Sequence, residues 1–296
     1  SHGAMLFVDA AHGAHFPFSD KFPCEAVRCG ADAAVVSLHK TLPSLTQTAM
    51  LLTDNLEISE KLKENLSIFE TSSPSYILMS AIENCLDFIF YNKDDFKVYT
   101  EKLADFYSKT KSLKNLSILY NDKSFLEQCF DYDFGKIVIS TAKLTISGTE
   151  LAMLLRQKYK IETEMAYTDY VIAMTSVCDT DEGFGRLINA LFEIDSSISK
   201  SNKPMLIYKF NQTPKCSFYA YQKSKHRAEK ILLKNAQGLA SLEYVWAYPP
   251  GIPLIVPGEI VTKELISQIN LLVSNNIQIN STKNSMPDYI YAAEND

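Results

Sequence analysis

Two short stretches of the chain carry the side chains best suited to chemistry. The first runs from Ser37 to Pro43 and holds Lys40 just after an apolar run, 33–36. A lysine at the end of a buried strand is poorly solvated, which lowers its pKa and makes its amine a plausible nucleophile. The second stretch is the apolar run 6–8, which ends in Asp9. Strands that deliver an acid and a lysine to one edge of a sheet indicate a site that holds a ring by its two ends.

Pyridoxal 5′-phosphate is one ring that such a site would hold. Its aldehyde needs a lysine, here Lys40, and its ring nitrogen stays protonated only when a carboxylate, here Asp9, faces it. His12 would donate a hydrogen bond to the ring's phenolic oxygen. Ser37 and His39 lie where a phosphate would be held alongside backbone N–H groups.

The residues alone leave other interpretations open. The S-x-x-K spacing is also typical of serine acylases, and an aspartate at a strand end is often a turn former or a helix cap. The spacing of Asp9, His12 and His15 would also suit zinc. The chain has five histidines, and Cys24 and Glu25 are the only further ligand types near this stretch, so we predict no metal site.

Charge and composition exclude two classes of protein. The chain has 296 residues, a formal net charge of −6 and 46% hydrophobic residues, as expected of a globular protein of more than one domain. No basic stripe favours nucleic acid. No apolar run approaches the length of about 20 residues that crosses a bilayer. We therefore predict neither a nucleic-acid nor a membrane partner.

The cysteines and the N-terminus suggest a compartment. The six cysteines are spread out and contain no C-x-x-C pair, which predicts reduced thiols in core positions of a cytoplasmic protein. The N-terminal residues lack the basic and apolar regions of a signal peptide. The apolar pattern predicts a buried strand almost at the start of the chain, from which we expect a C-terminal piece of a longer protein.

Apolar periodicity predicts the elements that position these residues. An α/β domain is expected over 1–112, a small α+β domain over 113–200 and a further segment over 201–296. The predicted strands are 5–8, 33–37, 48–53, 116–119, 136–140, 161–165 and 170–175. The predicted helices are 23–29, 57–68, 76–90, 96–112, 151–159, 181–194, 219–235 and 262–274. Asp94 is the predicted cap of the helix 96–112, and Ser147 is that of the helix 151–159. The tail after the last helix is polar.

Four segments of the chain resemble signature segments of the Orn/Lys/Arg decarboxylases, which are fold-type I pyridoxal-phosphate enzymes related to aspartate aminotransferase. They are Val8–Phe16 (V-D-E-A-H-G-A-H-F in the family), Ser37–Gln47 (S-x-H-K-T-L-P-A-L-T-Q), Thr71–Tyr76 (T-S-S-P-S-Y), and Tyr248–Pro253 with Pro257–Glu259 (Y-P-P-G-I-P and P-G-E). Since all four occur in the family's order, the resemblance is specific and extends over most of the chain.

The resemblance implies roles for the residues of these segments. Lys40 would be the Schiff-base lysine and Asp9 the partner of the pyridinium nitrogen. The segment 71–73 would lie near the cofactor phosphate, across a dimer interface. The implied cofactor-binding residues are Asp9, His12, Ser37, His39, Lys40, Thr71, Ser72 and Ser73.

The implied activity is decarboxylation of arginine, lysine or ornithine to CO₂ and agmatine, cadaverine or putrescine, by a homodimer or higher oligomer. The implied fold is a partial pyridoxal-phosphate transferase-like large domain with a mostly parallel sheet, a small α+β domain and a C-terminal decarboxylase segment. A catalytically inactive homologue and another fold-type I enzyme, such as an aminotransferase or lyase, are the alternatives.

The chain departs from the family in two ways. Ala10 stands where the family has a glutamate after the aspartate, which bears on tuning or substrate preference rather than on cofactor binding. The N-terminal part of the family's large domain, which supplies further cofactor contacts, has no counterpart in this sequence. We therefore expect this chain alone to bind the cofactor weakly and to be inactive.

Overall fold

The computed structural model describes residues 4–121, 123–201, 214–248 and 251–294. Pro249 and Pro250 of the Y-P-P-G-I-P segment lie outside the described residues, as does most of the polar stretch that follows residue 201. By compactness the chain divides into two units. The first comprises 1–113, 118–137 and 174–192, and the second comprises 114–117, 138–173 and 193–296. The division at residues 112 and 200 stays a prediction.

A three-stranded sheet carries both chemical stretches. Its strands are β1 (Phe7–Asp9), β2 (Ala33–Ser37) and β3 (Ala49–Leu52), in the order β1-β2-β3. β1 and β2 are parallel, whereas β3 runs antiparallel to β2.

β1 differs from the buried strand expected from its apolar composition. Phe7 is 54% exposed, and Asp9 is also exposed. The reason is the strand order, because β1 lies at the edge of the three-stranded sheet and pairs only with β2 in the described part of the chain. An apolar run therefore predicted the strand correctly but not its burial.

Four helices follow or flank this sheet: α1 (Leu38–Thr41), α2 (Leu56–Phe69), α3 (Tyr76–Tyr91) and α4 (Lys93–Thr110). Side chains cap two of them, since Asn55 accepts hydrogen bonds at the start of α2 and Ser75 does so for α3. The predicted cap Asp94 is wrong. α4 begins directly after α3, so Asn92 is its N-cap and Asp94 lies in the first turn, where a carboxylate favours the helix dipole.

The segment 23–29, predicted as a short helix, forms only a single hydrogen-bonded turn. Gly30 ends it with φ of +96°, a left-handed conformation that glycine adopts without a steric penalty. The core beside this turn and the sheet is apolar. It consists of Ala14, Val36, Leu38, Leu42, Cys85, Ile89 and Phe96.

A four-stranded sheet with the order β4-β5-β7-β6 forms the α+β part. Its elements are β4 (Ser117–Ile118), α5 (Lys123–Leu126), β5 (Lys136–Ser140), α6 (Gly148–Tyr159), β6 (Met165–Ala166), β7 (Tyr170–Met174) and α7 (Asp181–Ser197). Ser147 caps α6, as predicted, and forms a complete capping box with Glu150. The strand predicted over 161–165 is reduced to β6, because only its two residues pair with β7.

The C-terminal part differs most from the prediction. It contains β8 (Ala228–Leu232), β9 (Val245–Tyr248), β10 (Ile252–Ile255), α8 (Lys263–Ser274), β11 (Gln278–Ser281) and β12 (Tyr289–Ala293). The helix predicted over 219–235 is wrong. A 3₁₀ turn (Ala220–Lys225) precedes β8, which pairs antiparallel with β12, and β9 is the central strand of the sheet β10-β9-β11. The polar tail thus supplies strands, and pairing with β12 overrides the helical spacing of 219–235.

Two further predictions concern the whole chain. All six cysteines are free, but only Cys85 is buried, so the expectation that the thiols fill core positions is wrong for most of them. Most lie in turns and loops, which run over the surface. No helix in the described ranges is long and apolar enough to span a bilayer.

Candidate functional site

The parallel pairing of β1 and β2 brings the two chemical stretches side by side. Asp9 lies opposite Val35, and beyond it the Ala10 N–H donates to the Val35 carbonyl at 2.8 Å. The pairing continues one step further, where the Ser37 N–H donates to the Ala11 carbonyl at 3.3 Å. The carboxyl ends of both strands therefore share one edge, which is where open α/β sheets bind ligands.

A cavity of about 540 Å³ lies at this edge. Its lining residues are Val8, Asp9, Ala10, Ala11, His12, Gly13, Phe16, Cys24, Glu25, Ala26 and Val36. Asp9 and His12 thus face the same space, whereas Ser37, His39 and Lys40 are not among the residues that line it. The lining also includes Cys24 and Glu25, which the sequence suggested only in connection with a metal.

Asp9 is held by a short turn. Its Oδ1 accepts a hydrogen bond from the Ala11 N–H at 3.0 Å, and the Gly13 N–H donates to the Ala10 carbonyl at 2.8 Å. The Oδ2 atom of Asp9 accepts no hydrogen bond from any described residue. One carboxylate oxygen therefore orients the side chain and the other is available to a ligand N–H. His12, which follows in the same turn, is half-buried.

Lys40 lies in α1, the single helical turn after β2. The side chain is half-buried, and its ammonium group makes no hydrogen bond or ion pair with any residue the structure describes. Ser37 is the N-cap residue of α1, although its hydroxyl makes no capping bond. The Nδ1 atom of His39 lies 3.0 Å from the Thr48 carbonyl, so this ring is fixed against the residue that precedes β3. The amine at residue 40 is thus positioned by its backbone and remains chemically available.

The segment 71–73 is not brought to the cavity. Thr71, Ser72 and Ser73 are all exposed, and the Ser73 N–H donates to the Thr71 hydroxyl at 3.1 Å in a local turn. The turn leads directly into α3, whose N-terminus Ser75 caps. Their role toward a cofactor phosphate therefore stays a prediction.

A buried ionic cluster around His15 was not predicted from the sequence. His15 is 2% exposed, and its Nε2 lies 3.2 Å from Oδ1 of Asp133, which is 11% exposed. The Lys136 ammonium lies 3.0 Å from Oδ2 of the same carboxylate. The rings of Phe16 and Phe22 pack edge-on against His15, with ring centres 4.9 and 4.5 Å away. His15 thereby anchors the turn that carries Asp9 and His12, instead of joining them as a metal ligand.

The charge of Asp133 depends on its partners. Burial by itself raises the pKa of this carboxyl, but the hydrogen bond and charge of His15, together with Lys136, outweigh burial and leave the pKa below its ordinary value. Asp133 is therefore a stable anion beside His15. The spacing of the histidines drew attention to His15 as a possible zinc ligand. Its partner Asp133 lies 118 residues away in the sequence, so the sequence did not predict this contact.

No group of three or more histidine, cysteine, aspartate or glutamate side chains in the described ranges is arranged to hold a metal ion. The titratable side chains that line the cavity are those of Asp9, His12, Cys24 and Glu25, and Lys40 follows β2 outside this lining. A carboxylate can keep a heterocyclic nitrogen protonated, and an amine can bond to an aldehyde.

Comparison with known proteins shows which protein family this chain is similar to. Residues 1–117 match the model of the Orn/Lys/Arg decarboxylase major domain, and residues 205–287 match that of the Orn/Lys/Arg decarboxylase C-terminal domain. An arginine decarboxylase of Bacillus subtilis is 30% identical over 278 residues, covering 89% of this chain and 55% of that protein. An arginine decarboxylase of Halalkalibacterium halodurans is 29% identical over 280 residues. The match covers 91% of this chain and 56% of that arginine decarboxylase.

Solved structures show the same fold. The E. coli constitutive lysine decarboxylase superposes with a TM-score of 0.74 at 16% identity, covering 98% of this chain and 54% of that one. Lysine decarboxylase A from Pseudomonas aeruginosa superposes with a TM-score of 0.70 at 14% identity. The chain thus spans about half the length of the curated relatives it matches.

Proposed function

Because the chain belongs to the Orn/Lys/Arg decarboxylase family, we propose that the whole protein decarboxylates a basic amino acid with pyridoxal 5′-phosphate. Arginine, lysine and ornithine are the candidate substrates. The chain spans about half the length of its curated relatives, so the activity is proposed for the whole protein and not for this chain alone. The observation that carries the proposal is the shared edge of β1 and β2, where Asp9 ends one strand and Lys40 follows the other.

The residues present fit this cofactor. The cavity of about 540 Å³ has room for a single substituted pyridine ring, and Asp9 offers it an Oδ2 atom with no other hydrogen bond among the described residues. The Lys40 ammonium is likewise without a partner in the described part of the chain. A group that needs one carboxylate and one free amine therefore finds both at this edge.

Each residue would have a distinct task in the reaction. When bound, the cofactor supplies an electron sink for the charge left at Cα after CO₂ departs. Lys40 would hold the cofactor through Nζ, give way to the amino group of the substrate, and later release the amine product. Asp9 would keep the ring nitrogen protonated through its opposite charge. His12 would donate to the phenolic oxygen on the same side of the cavity.

We further propose that the protein is a cytoplasmic homodimer or larger homo-oligomer. Large apolar side chains are exposed along α3, an arrangement typical of an interface. They include Tyr76, Ile77, Met79, Phe90 and Tyr91. A second copy is the occupant that we propose, since residues 71–73 directly precede this face and would then reach the site of the partner. The six free cysteines agree with a reducing compartment.

Chemical trapping tests the assignment of Lys40. The whole protein is incubated with pyridoxal 5′-phosphate, reduced with borohydride and digested, and the modified lysine is identified by mass spectrometry. We expect the label on residue 40, with complete loss of the label and of the long-wavelength absorbance in Lys40→Ala. Lys63→Ala is the matched control, because Lys63 is an exposed lysine on α2. Label retained in Lys40→Ala, or placed on another lysine, would overturn the assignment.

A product assay then separates the possible activities. CO₂ with an equivalent amount of amine, formed from arginine, lysine or ornithine, would support the proposed reaction and identify the substrate. A keto acid would instead indicate an aminotransferase. Cofactor binding without either product would indicate an inactive homologue, and the proposed activity would then be wrong.

A further inference from the structure

A second cavity, of about 240 Å³, lies in the second unit and shares no lining residue with the Asp9–His12 cavity. Its lining comes from residues 141–147 between β5 and α6, from 168–169 between β6 and β7, from the first turn of α6, and from 274–276 at the end of α8. Drug-sized ligands occupy cavities of about 300–1,000 Å³, so this cavity suits a smaller molecule.

Backbone contacts hold the walls of this cavity together. The Thr141 N–H donates to the Asp169 carbonyl at 2.8 Å, and the Gly148 N–H donates to the Thr168 carbonyl at 3.1 Å. A side chain at residue 148 would collide with carbonyl oxygens of the turn 167–170, so α6 begins as close to this turn as a glycine allows. The cavity is therefore formed before any ligand enters it.

One carboxylate in the cavity lacks a cationic partner. Asp169 is half-buried, and its Oδ1 atom accepts a hydrogen bond from the Thr168 hydroxyl at 3.3 Å. No lysine, arginine or histidine in the described ranges forms an ion pair with Asp169. Burial raises the pKa of this carboxyl, and the hydrogen bond from Thr168 offsets the rise only in part. A cationic ligand would supply the missing charge.

A buried hydroxyl beside Asp169 also lacks a partner. Thr141 is 3% exposed and lines the cavity, and its Oγ1 atom makes no hydrogen bond with any described residue. A buried polar group without a partner destabilises the fold, and a ligand that donates an N–H would relieve this cost.

The two helix ends at the cavity together favour a cation. Ser274 and the C-cap residue Asn275 line the cavity, and the last turn of α8 holds no basic residue. The C-terminus of a helix carries about half a negative charge. The opposite charge at the N-terminus of α6 is already balanced, because the Glu150 carboxylate accepts the Ser147 N–H at 2.7 Å in the capping box.

The remaining lining residues limit the kind of cation. Ala142, Leu144 and Ile146 offer apolar contacts. Lys143 is the basic residue of the lining, and it is exposed, so its ammonium group remains hydrated. Ca²⁺ takes about six to eight oxygen ligands, often from several carboxylates, whereas Asp169 is the lining carboxylate that no cap engages. An ammonium group on a short aliphatic chain matches a lining that is part acidic and part apolar.

We propose that this cavity binds a small primary amine in its protonated form, with the Asp169 carboxylate as counter-ion and the Thr141 hydroxyl as a second acceptor. The aliphatic chain of the amine contacts Leu144 and Ile146. The inference does not depend on the proposed decarboxylase activity, since it uses no residue of the Asp9–His12 cavity.

Isothermal titration calorimetry of the whole protein with n-butylammonium chloride, at constant ionic strength, tests the proposal. We expect saturable binding, and no binding of n-butanol, which has the same chain length but no charge. Asp169→Asn should weaken binding at least about tenfold, because a charged hydrogen bond becomes a neutral one. Asp288→Asn is the matched control, since Asp288 is an exposed aspartate of the same unit outside this cavity, and it should bind as the unmodified protein does. Equal binding by Asp169→Asn would overturn the proposal.

Two further variants examine the other acceptor and the sign of the charge. Thr141→Val should weaken binding about two- to tenfold without lowering Tm, because Oγ1 has no partner in the described part of the chain to lose. Unchanged binding by Thr141→Val would contradict the role of this hydroxyl. Lys143→Ala removes a positive charge, so it should bind the amine equally well or more tightly. Weaker binding by Lys143→Ala would indicate an anion site and refute the proposal.

Hydrogen exchange followed by mass spectrometry locates the bound amine. n-Butylammonium should slow amide exchange in residues 141–150 and 167–170. Protection confined to residues 8–16 would place the amine at the Asp9–His12 cavity instead. Displacement of the amine by an equal concentration of Mg²⁺ would identify a metal-ion site. Either of these two results would show the proposal to be wrong.

Discussion

Replacing Asp133 by asparagine should destabilise the part of the fold that positions the Asp9–His12 turn. The carboxylate accepts bonds from His15 and from the Gly135 N–H at 3.2 and 3.0 Å on Oδ1, and from Lys136 at 3.0 Å on Oδ2. Asparagine can keep Oδ1 and its two donors. Its amide nitrogen, however, would face the Lys136 ammonium, so that two donors meet where a charged hydrogen bond existed.

The expected cost follows from these contacts. A hydrogen bond to a charged group contributes about 1.5–3 kcal/mol, and a buried polar group left without a partner costs about 1–3 kcal/mol. Lys136 is only 14% exposed and therefore regains little hydration. We expect Asp133→Asn to lower the free energy of unfolding by about 2–4 kcal/mol. Breaking a fully buried ion pair costs more, about 3–5 kcal/mol. At about 2–4 °C per kcal/mol, this predicts a fall in Tm of about 4–16 °C.

Thermal and urea unfolding at neutral pH measure this difference. Asp131→Asn is the matched control, because the same change is made two residues away at an exposed carboxylate that accepts just the Tyr132 N–H among the described residues. If the two variants lost equal stability, or if Asp133→Asn lost none, the argument that Asp133 holds a structural ion pair would be refuted.

The pH dependence gives an independent check on Asp133. Its pKa is lower in the folded protein than in the unfolded chain, so the unfolded chain binds the proton more tightly. The stabilisation is therefore complete above the ordinary pKa range of aspartate and is lost as the pH falls through the lowered folded value. Urea midpoints should fall more steeply with acid in the unmodified chain than in Asp133→Asn, and parallel curves would contradict the assignment.

Two buried carboxylates in the second unit, Glu243 and Asp195, should also stabilise the fold through the hydrogen bonds that they accept. Glu243 is fully buried and accepts hydrogen bonds from Ser281, Ser285 and two backbone N–H groups. Glu243→Gln should therefore lower the free energy of unfolding, measured in urea, by about 2–4 kcal/mol. Glu264 is exposed, and Glu264→Gln should lower it by less than about 0.5 kcal/mol. Asp195 accepts three backbone N–H groups of residues 114–116 at 2.7–2.8 Å, so Asp195→Ala should cost about 3 kcal/mol and Asp195→Asn about 1 kcal/mol. Equal effects of alanine and asparagine at 195, or of the two glutamine variants, would contradict this account.

Local patterns predicted a large part of the fold. β2 and β5 have the bounds that their apolar runs predicted, and Ser147 is the cap of α6, as predicted. These features depend on residues close in sequence, whose contacts follow from backbone geometry. The same is true of the turn at Asp9, where the first hydrogen bonds are made within a few residues.

Features that depend on distant partners were not predictable. The segment 228–232 is a strand because β12 pairs with it, some sixty residues later. The exposure of Phe7 follows from the edge position of β1. The predicted cap Asp94 failed because α4 begins directly after α3, and Asn92 between them is the N-cap. In each case a neighbouring element decided between conformations that the local sequence allows.

The sequence by itself determined the family resemblance, the identity of Lys40 and Asp9 as the residues of chemical interest, and the strands at whose ends they lie, because these depend on residue types at short spacing. Only the tertiary structure decided that β1 pairs with β2 and lies at the edge of the sheet, and that His15 bonds to Asp133. Such distances depend on how separate segments pack, and a one-dimensional pattern does not contain them.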